Sequence, residues 1–143
     1  MLCFLVCPSA ARLTEASGVI TSAYYPRKYP SNQECHWEIT AAKGNHVKLE
    51  VKDMQIHRCG QSGACTCDYL EVLEGFNAED GAPSRKQCVF ERFKRLTYYS
   101  IHERLRVRFS SNLDPVSGRG FTATYTQLNY TPPGTNAMQL FCL

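Results

Sequence analysis

Four residues between positions 57 and 67 have the side chains that zinc prefers, and an acid follows them directly. His57, Cys59, Cys65 and Cys67 offer one imidazole and three thiols, which could form a tetrahedral N/S set, and Asp68 comes next. The same cysteines could instead be joined in disulfides, since their spacing matches no familiar zinc module. The choice depends on the redox compartment, because thiols persist inside cells and are oxidised outside them.

The number and distribution of the cysteines favour disulfides. The chain has 143 residues, enough for about one domain, and eight of them are cysteines. They are spread along the sequence rather than arranged as two CxxC pairs, at Cys3, Cys7, Cys35, Cys59, Cys65, Cys67, Cys88 and Cys142. This pattern is typical of an oxidised, secreted or cell-surface domain, and the zinc interpretation remains as the alternative.

The sequence carries none of the usual catalytic motifs. It has no GxSxG, no HExxH and no phosphate-binding loop, and its four histidines lie in ordinary strand or loop contexts. A nucleophilic cysteine is not expected where disulfides form. No run approaches the roughly 20 apolar residues of a membrane span. We therefore expect neither catalysis nor a membrane-spanning segment in this chain.

Positive charge is concentrated between positions 85 and 108. This segment contains eight basic and two acidic residues, a net charge of +6, whereas the whole chain carries +3. Arg104, Arg106 and Arg108 alternate with apolar residues, so on a strand they would project from one face about 7 Å apart. We call these three residues the arginine ladder. It could bind sulfated glycans or acidic protein segments, or it could be a solvated face; nucleic acid is not expected, because no aromatic platform accompanies it.

Short segments of alternating polar and apolar residues predict an all-β chain. The predicted strands cover residues 18–22, 35–40, 47–52, 69–73, 96–100, 104–110 and 121–125. Proline, glycine and asparagine punctuate the loops between them, and residues 75–83 read as a polar loop. No amphipathic helix is evident. The pattern is typical of a sandwich or barrel of short strands.

The two ends of the chain lie outside this pattern. Residues 1–11 are either the remnant of a secretory signal or the first strand. We assign residues 1–127 to one domain and residues 128–143 to a linker, which could also be the start of a following module. Asn129 begins an Asn-Tyr-Thr sequence, which is an N-glycosylation sequon.

Taken in order, several motifs resemble those of a CUB domain. They are Gly18-Val19-Ile20, the Tyr-Pro pairs at 25–26 and 29–30, Cys35-x-Trp37-x-Ile39, Asp68-Tyr69-Leu70-Glu71-Val72, Leu105-x-Val107-x-Phe109 and Gly120-Phe121-x-Ala123-x-Tyr125. Each motif alone is weak, but the ordered set, from residue 18 to residue 125, is specific. The resemblance implies an antiparallel β-sandwich of two sheets, jelly-roll-like and stapled by disulfides.

The resemblance also implies how the cysteines pair. CUB domains join an N-terminal cysteine to one on the Trp-bearing strand, and a cysteine just before the Asp68-like acid to a later one. The implied pairs are Cys7–Cys35, Cys65–Cys88 and, for the two extra cysteines of the long loop, Cys59–Cys67. Cys3 and Cys142 are left over. They pair with each other, or Cys142 belongs to a following module.

Many CUB domains hold calcium at one end, and this sequence departs from their ligand set. Those domains use a glutamate, an aspartate before the Tyr-Leu strand and a second aspartate after the Phe-x-Ser strand. Here Asp68 has the middle role, but His57 and Asn112 stand where the other two acids are expected. Histidine is a poor calcium ligand and asparagine offers only a neutral oxygen. We therefore expect no calcium site and no cofactor.

The resemblance implies a non-catalytic binding module of a secreted or cell-surface protein, with a protein or an acidic glycan as its ligand. Two alternatives are the recognition arm of an extracellular protease and a glycan-binding protein of the spermadhesin kind. The residues expected to contact the partner are Arg104, Arg106, Arg108, Lys94, Arg95, Tyr24, Tyr29 and Asp68.

Overall fold

The described residues form nine strands arranged in two sheets. The structure is a computed structural model, and it describes residues 7–59, 64–88, 96–115 and 117–129. The strands are β1 (Ala11–Leu13), β2 (Ser17–Thr21), β3 (Glu34–Thr40), β4 (His46–Gln55), β5 (Tyr69–Leu73), β6 (Gly75–Asn77), β7 (Leu96–Ser100), β8 (Arg104–Ser110) and β9 (Gly120–Leu128). All the predicted strands are present; β5, β7 and β8 have the predicted bounds, and the ends of the others shift by up to three residues.

The two sheets confirm the predicted β-sandwich. One sheet has the strand order β1-β3-β8-β5, and the other has the order β2-β9-β4-β7-β6. Neighbours in both sheets run antiparallel, except that β1 pairs with β3 in parallel through residues 11–13. Among the described residues, no helix is long and apolar enough to cross a membrane.

The inner faces of the two sheets form one apolar core. Trp37 and Phe109 from the first sheet meet Phe121 from the second, with ring centroids 5.6 and 5.9 Å apart. Leu49, Leu105 and other inward residues of the alternating strands are fully buried. Each buried side chain of this size contributes about 1.5–3 kcal/mol, so the alternation seen in the sequence fixes which face of each strand is inside.

Two features of the fold differ from the sequence prediction. Residues 75–77, predicted as part of a polar loop, form β6, because Gly75 and Asn77 pair with β7 despite their low strand propensity. Strand β4 continues three residues beyond its predicted end, because a β-bulge between Val51 and Asp53 resets the alternation. After the bulge, Met54 points inward instead of Asp53. The bulge thereby directs the end of β4 toward the loops described next.

Candidate functional site

Three loops meet at one end of the sandwich, and we call this region the loop end. It comprises residues 22–32, 55–59, 111–115 and 117–119. A buried acid, Asp68, ties the loops together, because its Oδ2 accepts a hydrogen bond from the Tyr29 hydroxyl at 2.5 Å and its Oδ1 accepts one from the Asn112 amide at 2.9 Å. The Tyr29 hydroxyl in turn accepts a hydrogen bond from the His57 amide at 2.9 Å. Burial and the Asp68 carboxylate raise the pKa of Tyr29, so it stays protonated and remains a donor.

The backbone closes the loop end further. The Tyr29 amide donates to the Gly118 carbonyl at 3.1 Å, and the Asn32 amide donates to the Asn112 carbonyl at 2.7 Å. Gly118 lies so close to β4 that a Cβ at this position would collide with the Gln55 carbonyl oxygen. The close approach requires glycine here, and it brings residues 117–119 against the end of β4.

Two residues predicted to contact a partner are wrong in that role. Tyr29 is 2% exposed and Asp68 is 1% exposed, so neither side chain is presented to a ligand. The tyrosine ring packs edge-on against Phe109 with centroids 5.0 Å apart. The prolines predict an extended surface loop over residues 24–32, and residues 26–28 are indeed exposed, but Tyr29 turns inward to the core. Tyr24 is half-buried and adopts a positive φ of 65°, and its role in binding stays a prediction.

The residues at this end do not fit calcium. Both Asp68 oxygens already accept hydrogen bonds from the protein, and the Asn112 side-chain oxygen accepts one from the Asp114 amide at 3.0 Å. Calcium takes about 6–8 oxygen ligands, mostly from carboxylates. In the part of the chain that the structure describes, no group of three or more His, Cys, Asp or Glu side chains is placed to hold a metal.

We expect calcium to leave the stability of this domain unchanged. A ligand stabilises the folded state by RT ln(1 + [L]/Kd), so a site that keeps only one of the three expected carboxylates, Asp68, should give no measurable gain at millimolar calcium. Thermal melts recorded with millimolar CaCl2 and with a chelator should therefore coincide. A rise of several degrees with calcium would show that other oxygen ligands complete a site at this end.

The cysteines of the long loop are bonded to sulfur, so they do not form the alternative zinc set. The structure joins Cys7 to Cys35, Cys65 to Cys88 and Cys59 to Cys67, with Cα atoms 5.3, 5.6 and 5.9 Å apart. These are the pairs that the CUB resemblance implies. The predicted partners Cys3 and Cys142 lie outside the described residues.

An ion pair braces the side of the loop end. The Arg119 guanidinium donates to both Asp53 oxygens, at 2.6 Å from Nε and 2.7 Å from an Nη, and the Tyr25 hydroxyl donates to Asp53 Oδ2 at 2.7 Å. The hydrogen bonds from Arg119, and then that from Tyr25, lower the pKa of Asp53 to about 2, although desolvation opposes them. We call Tyr25, Asp53 and Arg119 the bracket, because they join β4 to the loops that contain residues 25 and 119.

This bracket predicts a specific acid sensitivity. Because the pKa of Asp53 is lowered on folding, its contribution to stability is present above the unfolded pKa of about 3.8 and is lost as the pH falls towards 2. The Asp53→Asn variant should therefore lose less stability than the wild type between pH 4 and pH 2. Urea midpoints measured across this range test it, with Asp80→Asn on an exposed turn as the matched control. Equal slopes for the wild type and Asp53→Asn would contradict the assignment.

The arginine ladder lies on the outer face of the first sheet, as the alternation predicts, but its charge is compensated. Arg104 donates two hydrogen bonds to Glu74, at 2.8 and 2.7 Å, and the Arg106 guanidinium lies 3.4 Å from the same carboxylate. Arg108 donates to Glu34 at 3.0 and 3.2 Å. The hydrogen bond from Arg108 lowers the pKa of Glu34, and that from Arg104 lowers the pKa of Glu74.

The basic residues predicted to lie beside the ladder, Lys94 and Arg95, add no evidence for an open basic face. Lys94 and Arg95 lie outside the described residues. Lys86, which precedes them, lies over the Tyr69 ring with its Nζ 4.3 Å from the centroid. The first sheet therefore presents arginines that are held by carboxylates rather than an open basic face.

Asn129 is exposed, which suits its predicted glycosylation, but the rest of its sequon lies outside the described residues.

Sequence reasoning missed a second group of cations, which lies at the loop end. Arg27, Lys28 and Arg58 are exposed, and none of them takes part in an ion pair among the residues that the structure describes. They come from two separate loops, so no local charge run marks them in the sequence. The signal available was that His57 and Asn112 stand where the CUB resemblance leads one to expect acids, which makes this end of the domain less negative.

The fold, the paired cysteines and the ordered motifs place the chain in a known family. The CUB domain family model matches residues 7–125, and the chain belongs to the CUB domain family. A cubilin homolog from Drosophila melanogaster is 38% identical over 111 residues, which cover 76% of this chain and 3% of that protein. Tolloid-like protein 1 from Homo sapiens is 42% identical over 64 residues, which cover 45% of this chain and 6% of that protein.

A solved structure has the same fold. The full extracellular region of zebrafish Gpr126/Adgrg6 matches with a TM-score of 0.72 and 28% identity, over 87% of this chain and 15% of that chain. The chain thus spans only a small part of each of these relatives.

Proposed function

We propose that this chain is a non-catalytic, extracellular interaction module that binds a protein ligand through its loop end. CUB domains typically serve as extracellular protein-interaction modules, and they are generally not catalytic. The disulfides suit an oxidising compartment, which supports a secreted protein or the ectodomain of a membrane protein. The zebrafish structure that resembles this chain is itself an extracellular region.

We choose the loop end as the partner surface because its cations differ from those of the arginine ladder in their ion pairs. The ladder arginines bind Glu34 and Glu74 of the same chain, so an acidic ligand would have to displace those carboxylates. Arg27, Lys28 and Arg58 have no such partner among the described residues. Cations without internal partners are available to a ligand at no cost in broken ion pairs, so the loop end is the better partner surface.

The two alternative functions make different demands. A spermadhesin-like glycan-binding role would rely on the ladder, whose charge is compensated. The recognition arm of an extracellular protease would use the same loop end within a longer chain, so it differs from the proposal in the parent protein rather than in this domain.

Binding to intact cells tests the proposal with two matched variants. Arg27→Ser/Lys28→Ser/Arg58→Ser and Arg104→Ser/Arg106→Ser/Arg108→Ser each remove three positive charges from the surface, all from exposed side chains except the half-buried Arg108. We expect biotinylated wild-type protein to bind some members of a panel of cultured cells saturably, and the loop-end variant to lose that binding while the ladder variant keeps it. Melting temperatures measured in parallel confirm that both variants remain folded.

Pretreatment of the cells separates a protein ligand from a glycan. Binding should disappear after the cells are treated with protease and persist after treatment with heparinase. Loss of binding after heparinase, together with loss in the ladder variant, would favour the glycan-binding function instead. Absence of saturable binding on every cell type would contradict the proposed function itself.

A further inference from the structure

The loop end contains an open groove between its loops. Its polar lining comes from Lys28 on the Tyr-Pro loop, Gln55 and His57 after the bulge of β4, and Ser117 and Arg119 before β9. The floor is formed by Ile56 and Gly118, which are buried. The groove is held open by contacts already described, since Tyr29 and Gly118 join two of its walls through a backbone hydrogen bond.

The charge that faces this groove without a carboxylate partner among the described residues is positive. Lys28 is exposed and makes no ion pair with the described residues. Arg119 bonds Asp53 through Nε and one Nη, so its other Nη is not used by that carboxylate. Asp53 pairs with Arg119, so these two charges offset each other, and Lys28 is left as the uncompensated charge among the groove residues that the structure describes.

The acids around the groove that the structure describes are already engaged: Asp53 is paired with Arg119, and Asp114, half-buried at the loop end, also has a partner. Asp68 is buried beneath it and has both oxygens engaged. The neighbouring residues that the structure leaves undescribed, at 60–63 and 116, are uncharged in the sequence. Calcium-holding CUB domains have acids at the positions of His57 and Asn112. This chain therefore carries two fewer negative charges at this end.

We propose that this groove binds a carboxylate side chain of an acidic segment in a protein ligand. The inference rests on the proposed function, because it names the chemistry that the loop end recognises. A lysine ammonium, a free guanidinium nitrogen and a serine hydroxyl are donors that suit a carboxylate. They surround one groove instead of forming an extended row, so they suit a single aspartate or glutamate better than a repeating sulfated polymer. Arg27 and Arg58 flank the groove and add long-range attraction to an acidic segment.

A peptide titration followed by NMR tests this proposal with a defined probe. The probe is an acetylated, amidated hexapeptide of glutamates, and its glutamine counterpart is the uncharged control. The glutamate peptide should shift the backbone amide signals of His57, Ser117 and Arg119, whereas the glutamine peptide should shift none of them. Binding should weaken as salt is raised from 50 to 300 mM, because surface attraction is screened over roughly 8 Å at physiological ionic strength.

Two matched lysine variants locate the binding. Lys28→Met removes the groove cation, and Lys43→Met removes an exposed lysine from a distant turn that is likewise without an ion pair among the described residues. We expect Lys28→Met to weaken peptide binding about two- to fivefold, in line with the loss of one exposed charge contact, and Lys43→Met to leave it unchanged. Equal effects of the two variants would overturn the proposal, because binding would then follow net charge alone.

A heparin tetrasaccharide is titrated in parallel to test the competing ligand class. If it occupies the same amides and displaces the glutamate peptide, the groove is a sulfate site and the proposal is overturned. Failure of this inference is distinguishable from failure of the proposed function. If the glutamate peptide is silent while cell binding still depends on the loop end, only the carboxylate specificity is wrong.

Discussion

Removing the Cys65–Cys88 disulfide should lower the free energy of unfolding by about 3–5 kcal/mol. We expect this effect to exceed that of the other disulfide of the long loop, Cys59–Cys67; the Cys7–Cys35 bond, which ends in β3, is not part of this comparison. The bond closes 23 residues of sequence separation, and Cys88 is 2% exposed. A loop of this length loses about 3 kcal/mol of unfolded-state entropy when it is closed, and the double alanine variant also leaves a small cavity. The bond holds the segment around Gln87, which forms a β-bridge with Leu70.

The Cys59–Cys67 bond provides the matched comparison. It spans only 8 residues of sequence separation, and both cysteines are partly exposed. Its loss should cost about 1–2.5 kcal/mol, because the entropy of a short loop is smaller and no core packing is lost. Urea unfolding of the two double alanine variants beside the wild type measures both values. A larger loss from the Cys59–Cys67 variant would contradict this ranking.

Peptide mapping without reduction checks the pairing itself. Digestion of the intact protein should release peptides that join Cys65 to Cys88 and Cys59 to Cys67. A peptide joining Cys67 to Cys88 would reverse the assignment of the long loop. Free thiols at all eight cysteines would instead contradict an oxidising compartment, and they would reopen the zinc interpretation of His57 and its neighbouring cysteines.

Much of the fold could be predicted because the strands carry local signals. In β8, Leu105, Val107 and Phe109 are buried in strict alternation, and the sequence shows that period directly. The end of β4 could not be predicted, because the bulge after Val51 interrupts the period there. Strand β6 was missed because three residues headed by a glycine carry no alternation to detect.

The candidate site depends on contacts between distant residues, which local patterns do not reveal. The alternation correctly places Arg104 and Arg108 outward, but it cannot show that Glu74 and Glu34 lie beside them. Those carboxylates come from residues 30 and 74 positions away in the sequence. Tyr29 was misassigned for the same reason, since its hydroxyl is buried against Asp68, 39 residues further along the chain.

Replacing Asp68 with alanine should destabilise the domain by about 2–4 kcal/mol, because it leaves the Tyr29 hydroxyl and the Asn112 amide without acceptors. Asp68 is almost completely buried, so water cannot easily take its place. Tyr29→Phe breaks the bond to Asp68 and the one from the His57 amide, but it keeps the Asn112 bond to Asp68 and should cost less, about 1–3 kcal/mol. The double variant should cost less than the sum of the two single variants, because both remove the same Tyr29–Asp68 bond. Urea denaturation measures all three.

The exposed acid Asp80 supplies the control for this series. Its Oδ1 also accepts a backbone hydrogen bond, from Ala82 at 2.9 Å, but on an exposed turn. Asp80→Ala should therefore change the free energy of unfolding by no more than about 0.5–1 kcal/mol. If Asp68→Ala unfolds at the same urea concentration as Asp80→Ala, the buried network does not hold the loops together. If the network does hold them, Asp68→Ala should also weaken binding of the glutamate peptide to the groove, because Tyr29 and Gly118 then lose their fixed positions. Asp68 itself does not face the ligand, so this effect would be indirect.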